Sequence, residues 1–547
     1  MSKILSKHVL LLTLAALFSA HSASAQTTPA NSLPRLVSQN GRHALFVDGA
    51  PFLMLGAQVH NSSVWPALLP KVVWPAMKDL GVNTVEAPIS WEQMEPQPGK
   101  FDFSVVDLLV KQARENKVRL VLLWFGTWKN GSNHYMPAWM KLQPQLYPNI
   151  VSADGRPIDS PSPHAPATLA ADVRAYSALM RHLKQIDEKQ HTVIMVQVQN
   201  EPGTWGGVRD FSPLAQQIFN RPVPDPLLKA LGKPVPAANW REAFGDDADE
   251  FFHAYSIARF IEQVAAAGKA IYPLPTLVNA ALRDPLVPSR PPSYESGGPT
   301  DNVLAIYKAA APSIDLLAPD IYQNEDAKYR RVLELYNRPD NALMVPETGS
   351  GAGNARYFYT ALHNGAIGFA PFGLDYANFA TPPTTPPENF AAFALNYRTF
   401  GPMARQIARL NFEGKVQAVA EFPQPSAATS TSTPTRIAPQ TLRFGDWEID
   451  VAYGPRNGPG FNPTPLGRAL VAQLGANQFL VTGLGSRVNF RPVGAHLGKA
   501  WQFLRVEEGQ YENGVFQPIR IWNGDETDWG LQFRDASPVV RVSLYTR

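Results

Sequence analysis

Residues 192–203 have the sequence TVIMVQVQNEPG, an apolar and β-branched run of strand length that ends abruptly in Pro202 and Gly203. Continuous apolar character is typical of a strand that is covered on both faces, as in a parallel sheet. Asn200 and Glu201 are therefore predicted at the carboxyl end of a buried parallel strand. In α/β barrels that end of the strands carries the reactive side chains.

Working outward from this run, the same kind of segment recurs along the chain and alternates with helical spacing. Strands are predicted at 52–60, 82–88, 119–125, 192–200, 274–281, 314–322, 343–347 and 366–372. Helices are predicted at 68–80, 104–117, 170–189, 250–271, 327–336, 354–363 and 389–410, with a long Pro-rich loop at 203–246. Eight strand–helix units predict an α/β fold, a (β/α)8 TIM barrel, which we assign to residues 26–410.

The pattern changes after the barrel. Residues 423–439 are rich in Ser, Thr, Ala and Pro, a composition typical of a linker or exposed loop. Short alternating segments follow, separated by turn signals such as Asn457-Gly458 and Asn523-Gly524. We predict that residues 411–547 form a smaller all-β, sandwich-like domain.

The first 25 residues have the pattern of a secretory signal peptide: Lys3 and Lys7, an apolar centre at 9–18, and Ala23-Ser24-Ala25. A membrane anchor is the alternative, but it needs roughly 20 apolar residues, and this run is shorter. The chain has no Cys, which excludes disulfides and thiolate chemistry. We expect a periplasmic or secreted protein whose mature chain does not insert into a membrane.

The charge balance argues against polyanionic partners. The formal net charge is +3, and removal of the two lysines in residues 1–25 leaves 3 − 2 = +1. Such a balance gives no electrostatic case for binding nucleic acid. The 12 Trp and 17 Tyr suit a neutral ligand such as a carbohydrate, although aromatic residues in a large core explain them equally well.

Two glutamates are the candidate catalytic residues. Glu347 ends strand seven just as Glu201 ends strand four, so a barrel would place them across its mouth. A carboxylic acid paired with a carboxylate is the machinery of glycoside hydrolysis, and unlike surroundings give the two groups their different protonation. A lone strand-end glutamate is more often solvated or ion-paired, so the pairing carries the hypothesis. This chemistry needs no cofactor and no metal.

Further side chains are candidates for substrate binding. Asn200 can donate to a sugar hydroxyl beside the reacting carbon, and Tyr322, at the end of strand six, can hydrogen-bond Glu347. Aromatic rings near strand ends can pack on sugars or fill the core: Trp91, Trp124, Trp128 and Trp205. Weaker polar candidates are His60, Gln58, Glu86, Asn279 and Gln323, while Glu295 and Asp320 are rivals to the chosen pair.

Several stretches resemble glycoside hydrolase family 35, whose members are mostly β-galactosidases of clan A. The similar segments are GAQVH at 56–60, GVNTVE at 81–86, WEQMEPQPGKFDF at 91–103 and QVQNE at 197–201. The resemblance covers about residues 40–375 and implies that Glu201 is the acid/base and Glu347 the nucleophile. The C-terminal β domain resembles accessory domains in a bacterial branch of this family.

Two positions depart from that family. Pro202 stands where the family usually has Tyr, and Thr127 stands where it carries a glutamate that binds galactose hydroxyls. From the paired glutamates and the resemblance as a whole, we expect an exported retaining exo-β-galactosidase that removes terminal β-galactose from oligosaccharides or plant polysaccharide side chains. The alternatives are a retaining glycosidase for a β-glucoside, β-xyloside or α-arabinoside, and a non-catalytic carbohydrate-binding barrel. The sequence leaves the linkage and the oligomeric state open.

Overall fold

The structure is a computed structural model that describes residues 32–379, 381–422, 439–453 and 466–547. The predicted signal peptide at 1–25, all but the last residue of the predicted linker at 423–439, and the predicted turn at Asn457-Gly458 lie outside these ranges. Within them, no helix combines the length and apolar character that a membrane crossing requires.

An antiparallel sheet of three short strands precedes the barrel: β1 (Arg35–Gln39), β2 (Arg42–Val47) and β3 (Ala50–Phe52). Its turns contain Asn40-Gly41 and Asp48-Gly49, and all four residues have positive φ, as two-residue hairpin turns require. Leu45 and Val47 pack with apolar residues from the amino ends of the barrel strands. The sheet therefore closes the amino-terminal end of the barrel.

Eight parallel strands form the barrel, as predicted. In chain order the strands of this region are β4 (Met54–Gln58), β5 (Thr84–Ser90), β6 (Arg119–Lys129), β7 (Asn149–Val151), β8 (Pro157–Pro161), β9 (Val193–Asn200), β10 (Thr276–Ala281), β11 (Leu316–Ile321), β12 (Glu347–Thr348) and β13 (Gly368–Phe369). Of these, β7 and β8 pair with each other as a short separate ribbon, and the other eight form the barrel. The sheet order is β12-β11-β10-β9-β6-β5-β4-β13. A parallel bridge between Val345 and Phe369 closes it, with Ile367 N donating to Leu343 O at 2.9 Å.

Helices connect the strands and surround them. They are α1 (Trp74–Leu80), α2 (Trp91–Met94), α3 (Ser104–Glu115), α4 (Ala138–Lys141), α5 (Pro166–Asp187), α6 (Pro213–Phe219), α7 (Asp225–Ala230), α8 (Trp240–Phe244), α9 (Ala248–Ile271), α10 (Leu304–Ala310), α11 (Asp326–Tyr336), α12 (Tyr357–His363), α13 (Glu388–Phe400) and α14 (Ala404–Phe412). The predicted loop at 203–246 contains α6, α7 and α8. Ser212 and Asn239 cap α6 and α8 with side-chain hydrogen bonds. The predicted helix at 389–410 is divided into α13 and α14 at Gly401-Pro402, because proline lacks the backbone donor.

The C-terminal region consists of two antiparallel sheets. Its strands are β14 (Val416–Ala420), β15 (Gln440–Phe444), β16 (Trp447–Tyr453), β17 (Arg468–Gly475), β18 (Gln478–Leu484), β19 (Ser486–Pro492), β20 (Trp501–Glu512), β21 (Val515–Ile521), β22 (Leu531–Phe533) and β23 (Val539–Thr546). The orders are β14-β17-β18-β23-β20-β21 and β15-β16-β19-β22. Trp447 and Ile449 of one sheet share a core with Val471 and Val542 of the other, which makes the region a sandwich.

Candidate active site

Glu201 and Glu347 meet at the carboxyl end of the barrel. Glu201 directly follows β9, the fourth barrel strand, and Glu347 begins β12, the seventh. Asp320 is on β11, which lies between β12 and β9 in the sheet order. One oxygen from each of Glu201, Glu347 and Asp320 lies within 4.8 Å of the other two. The structure thus brings together two glutamates that are 146 residues apart in the chain (347 − 201).

The surroundings of Glu201 disfavour its ionised form. Its side chain is buried, its φ is 42°, and its backbone N–H donates to Asn279 Oδ1 at 2.8 Å. Burial, and then the negative charge of Glu347, raise the pKa of Glu201 to about 7, against the opposing effect of Lys129. Glu201 can therefore exchange a proton near neutrality, as an acid/base must.

Glu347 is held by two hydrogen bonds, one to each oxygen. The Tyr322 hydroxyl donates to Oε1 at 2.6 Å, and Gln58 Nε2 donates to Oε2 at 3.0 Å. Burial, and then the charge of Glu347, raise the pKa of Tyr322 far above its usual value, so the hydroxyl remains a donor. These bonds fix the Glu347 carboxylate in the orientation that an attack on a bound group needs.

Asn200 presents a free amide donor beside the pair. Its Oδ1 accepts a hydrogen bond from Lys129 Nζ at 2.8 Å. Its buried Nδ2 has no acceptor among the residues that the structure describes. This N–H pair is therefore available to a ligand hydroxyl. Our sequence reasoning missed Lys129, although a lysine at the end of the third barrel strand was the signal that could have revealed it.

Glu86 lies inside the barrel on β5, beside Gln58 in register. Its side chain is buried, and in the described part of the chain neither carboxyl oxygen finds a hydrogen-bond partner. Burial, and then the charge of Glu347, raise its pKa well above the usual range. The site therefore disfavours a second negative charge at Glu86, close to Glu347. Asn279, another predicted site residue, contacts both Glu201 and Asp320, since its Nδ2 donates to Asp320 Oδ2 at 2.6 Å.

His60 and Trp205 lie nearer the surface of the barrel mouth. His60 Nδ1 is 2.7 Å from Asp375 Oδ1, and this hydrogen bond raises the pKa of the imidazole despite partial burial. The Trp205 side chain is 49% exposed, which leaves its ring accessible to a ligand. The substrate contacts expected of His60 and Trp205 stay predictions.

Trp124 and Trp128 do not line the site, and the prediction that they bind substrate is wrong. Both side chains are completely buried. The Trp124 indole N–H donates to Asp172 Oδ1 of α5 at 2.8 Å, and Trp128 packs edge-on against Phe260 of α9 at 4.8 Å between ring centroids. Trp91, the other aromatic of this group, is also fully buried. The Trp91 ring packs against that of Trp124, with 5.9 Å between ring centroids.

Thr127 is also turned away from the catalytic pair. Its hydroxyl donates to Asp172 Oδ2 at 2.6 Å, and Gln199 Nε2 donates to the same oxygen at 2.6 Å. The position at which the resembled family carries a galactose-binding glutamate therefore belongs to a buried network under Asp172. A single aspartate on the apolar face of the predicted helix at 170–189 was the signal for this network.

Glu295 is a further buried acid near Glu201. It lies in the loop after β10, its side chain is buried, and the Trp205 side chain approaches its carboxyl group. Burial, and then the charge of Glu201, raise its pKa well above the usual range. A Cβ on Gly131 or Gly203 would come within 3 Å of this carboxyl group, so glycine at both positions makes room for it.

Comparisons with known proteins match two separate parts of the chain. Residues 61–240 match the model of a family described as Beta-galactosidase (glycoside hydrolase family 42), and residues 393–534 match a family described as Domain of unknown function (DUF5597). The first match includes Glu201, while Glu347 lies outside both. Part of the chain is thus similar to β-galactosidases.

Individual relatives give the same picture at low identity. A β-galactosidase of Xanthomonas manihotis is 28% identical over 170 residues, or 29% of this chain and 25% of that protein. A β-galactosidase of Canis lupus familiaris is 28% identical over 189 residues, or 32% of this chain and 25% of that protein. The chain thus matches about a quarter of the length of these curated relatives. The crystal structure of a β-galactosidase from Bacillus circulans sp. alkalophilus aligns with a TM-score of 0.47 and 15% identity, covering 65% of this chain and 57% of that one.

Proposed function

We propose that this protein is a retaining glycoside hydrolase with Glu201 as acid/base and Glu347 as nucleophile. The observation that carries the proposal is the pair of carboxyl groups at the barrel mouth with oxygens within 4.8 Å of each other. Retaining enzymes hold these groups about 5–5.5 Å apart, whereas inverting enzymes leave about 6.5–9.5 Å for a water molecule. The short separation favours attack by Glu347 itself.

In the first step Glu201 gives its proton to the glycosidic oxygen while Glu347 attacks the anomeric carbon. The leaving group departs, and a covalent glycosyl-enzyme forms at Glu347. The pKa of Glu201, about 7, leaves a protonated fraction at neutral pH. The free N–H pair of Asn200 is placed to donate to the sugar hydroxyl beside the reacting carbon, a bond that strengthens in the transition state.

In the second step a water molecule releases the sugar. Glu347 has lost its charge as an ester, so its contribution to the raised pKa of Glu201 is gone and the Glu201 carboxylate is less strongly disfavoured. It removes a proton from the attacking water and so returns to its starting form. One carboxyl group thus serves as acid and then as base.

The substrate we propose is a terminal β-galactoside of an oligosaccharide or plant polysaccharide side chain, cleaved from its end. The family model and both curated relatives are described as β-galactosidases, which supports galactose. Membership of family 35 rests on the similar segments around Glu86, Trp91 and Glu201. Export to the periplasm or the exterior rests on the composition of residues 1–25, and the amino terminus of the purified mature protein would test it.

Turnover of a panel of aryl β-glycosides by the wild type, Glu347→Ala and Glu201→Ala tests the function. We expect preference for the galactoside, a loss of several orders of magnitude in Glu347→Ala, and its partial rescue by azide with an α-glycosyl azide as product. Glu201→Ala should give a β-glycosyl azide. A preference for another sugar would change the proposed substrate but not the proposed catalytic residues. Sugar binding without turnover of any glycoside indicates a binding protein, and full activity in both variants refutes the site.

A further inference from the structure

A third buried carboxyl group, that of Asp320, lies beside the catalytic pair and has no role in the steps described above. Asp320 lies on β11 in register with Glu347 on β12. Its side chain is 2% exposed, and one of its oxygens lies within 4.8 Å of oxygens of both Glu201 and Glu347. Three acids therefore share one buried volume. The inference drawn from them rests on the proposed function.

Asp320 has few hydrogen-bond donors around it to stabilise a carboxylate. Oδ2 accepts from Asn279 Nδ2 at 2.6 Å, and the buried Oδ1 has no hydrogen-bond partner among the described residues. The carboxyl groups of Asp320 and Glu201 are within hydrogen-bonding reach. Because a carboxylate has no donor, this contact is a hydrogen bond only when one of the two groups is protonated.

Asp320 is the more deeply buried of the two acids, at 2% exposed against 9% for Glu201. Burial, then the charges of Glu347 and Glu201, raise the pKa of Asp320 well above the usual range, so its surroundings favour the protonated form. The titratable groups that face Asp320 are Glu201 from β9, Glu347 from β12, Lys129 from β6, Tyr322 beyond its own strand and Tyr336 from α11. Only Lys129 among these favours an ionised Asp320.

We propose that Asp320 is a positioning residue that stays protonated through turnover and donates its hydrogen bond to Glu201. In the first step the Glu201 proton moves to the glycosidic oxygen, the C–O bond breaks, and the bond from Glu347 to the anomeric carbon forms. Asp320 keeps its own proton and stabilises the new Glu201 carboxylate. In the second step Glu201 regains a proton from water, and Asp320 is again unchanged. A carboxylic acid kept neutral by a buried site can act as such a donor.

The pH dependence of kcat/KM in Asp320→Asn and Asp320→Leu tests this assignment. Asparagine keeps a donor toward Glu201 and an acceptor for Asn279 without charge. We therefore expect the apparent pKa of the alkaline limb to stay within about 0.3 pH unit of the wild-type value, and kcat to stay within about threefold. Leucine removes the donor, so the limb should rise and kcat should fall about tenfold. If Asp320 were ionised, Asp320→Asn would remove a negative charge beside Glu201 and lower the limb by about one pH unit or more, which would overturn the proposal.

Infrared spectroscopy separates this proposal from the proposed activity, because it needs no turnover. In protein labelled with carboxyl-¹³C aspartate, at about pH 8, above the titration of Glu201, we expect a protonated-carboxyl band that is lost in either Asp320 variant that folds. The comparison with the variants is necessary because burial also raises the pKa of Asp172, so that a band from Asp172 can overlap that of Asp320. A difference spectrum without this band refutes a protonated Asp320, whatever the protein hydrolyses.

Discussion

At the scale of single residues, the account depends on the mutual influence of Glu201 and Glu347. The pKa of Glu201 is raised to about 7, first by burial and then by the charge of Glu347. Glu201 must be protonated to act as an acid, so kcat/KM should fall as pH rises through about 7. In Glu347→Gln the nearby charge is absent, and the pKa of Glu201, followed by carboxyl ¹³C NMR, should be lower.

The exposed Glu115 of α3 provides a matched control, because Glu115→Gln removes a carboxylate whose side chain is 58% exposed. Its pH profile should coincide with that of the wild type. A wild-type alkaline limb above about pH 9, or an unchanged Glu201 titration in Glu347→Gln, would contradict the coupling of the two acids.

The hydrogen bond from Tyr322 to Glu347 gives a second prediction. Tyr322→Phe removes a donor 2.6 Å from the nucleophile. A hydrogen bond to a charged group is worth about 1.5–3 kcal/mol, so we expect kcat to fall about 10- to 150-fold with little change in thermal stability. Tyr329→Phe is the control, since its hydroxyl is 3.0 Å from Thr348 Oγ1 and does not touch either glutamate. Equal losses in the two variants would contradict a specific role for Tyr322.

The tryptophans show where residue-level prediction from sequence ends. The positions of Glu201 and Glu347 followed from strand ends, because a parallel strand fixes where its carboxyl end lies. The direction of a side chain at that end did not follow, because Gln199 and Glu201 have φ values of 68° and 42°, outside the regular strand geometry. Gln199, together with Trp124 and Thr127 of β6, donates a hydrogen bond to Asp172 on α5, and no alternation pattern shows this contact.

At the scale of elements, the Asp172 network joins α5 to the ends of β6 and β9. Asp172 accepts hydrogen bonds from Trp124, Thr127 and Gln199, all of them buried. Asp172→Ala leaves buried donors of all three residues without their acceptor, so we expect a loss of about 3–5 kcal/mol in the free energy of unfolding, measured with urea. Because Gln199 is two residues from Glu201, kcat should fall more than KM changes.

The comparison variant for this prediction is Glu188→Gln, just beyond the end of α5. Its side chain is 55% exposed and pairs with Lys184 at 4.0 Å, an interaction worth about 0.5 kcal/mol or less. A loss below about 1 kcal/mol in Asp172→Ala would show that the network does not support the strand ends.

The alternation of strands and helices was predictable for a physical reason. Strands buried on both faces give long apolar runs, and all eight were found. The helices within 203–246 were not found, because α6, α7 and α8 have only 7, 6 and 5 residues. Helices this short are stabilised by caps and packing rather than by a repeating pattern.

At the scale of the whole molecule, the sandwich and barrel share a buried polar contact. Arg468 on β17 is 1% exposed, donates to Asn396 Oδ1 of α13 at 2.8 Å, and lies 5.5 Å from the Tyr359 ring of α12. The alternating strands predicted the sandwich, but no pattern in the sequence predicted this attachment. It depends on side chains from three elements that are distant in the chain.

Breaking this contact should uncouple the two regions. Arg468→Ala leaves Asn396 without its partner and opens a cavity, so we expect a loss of about 3 kcal/mol or more and a calorimetric transition that broadens or splits. Arg443→Ala, at a side chain that is 64% exposed and 3.9 Å from Glu448, should leave the transition unchanged. A single unshifted transition in Arg468→Ala would show that the contact does not couple the regions.

The central claim is that Glu347 forms a covalent bond with the sugar. The most direct test is incubation with an activated 2-deoxy-2-fluoro-β-galactoside, followed by mass spectrometry of the intact protein and its peptides. The account predicts one added fluorogalactosyl group, located on Glu347, and slow recovery of activity as the ester hydrolyses. Turnover without any adduct, or an adduct on Glu201 or Asp320, would contradict the assignment.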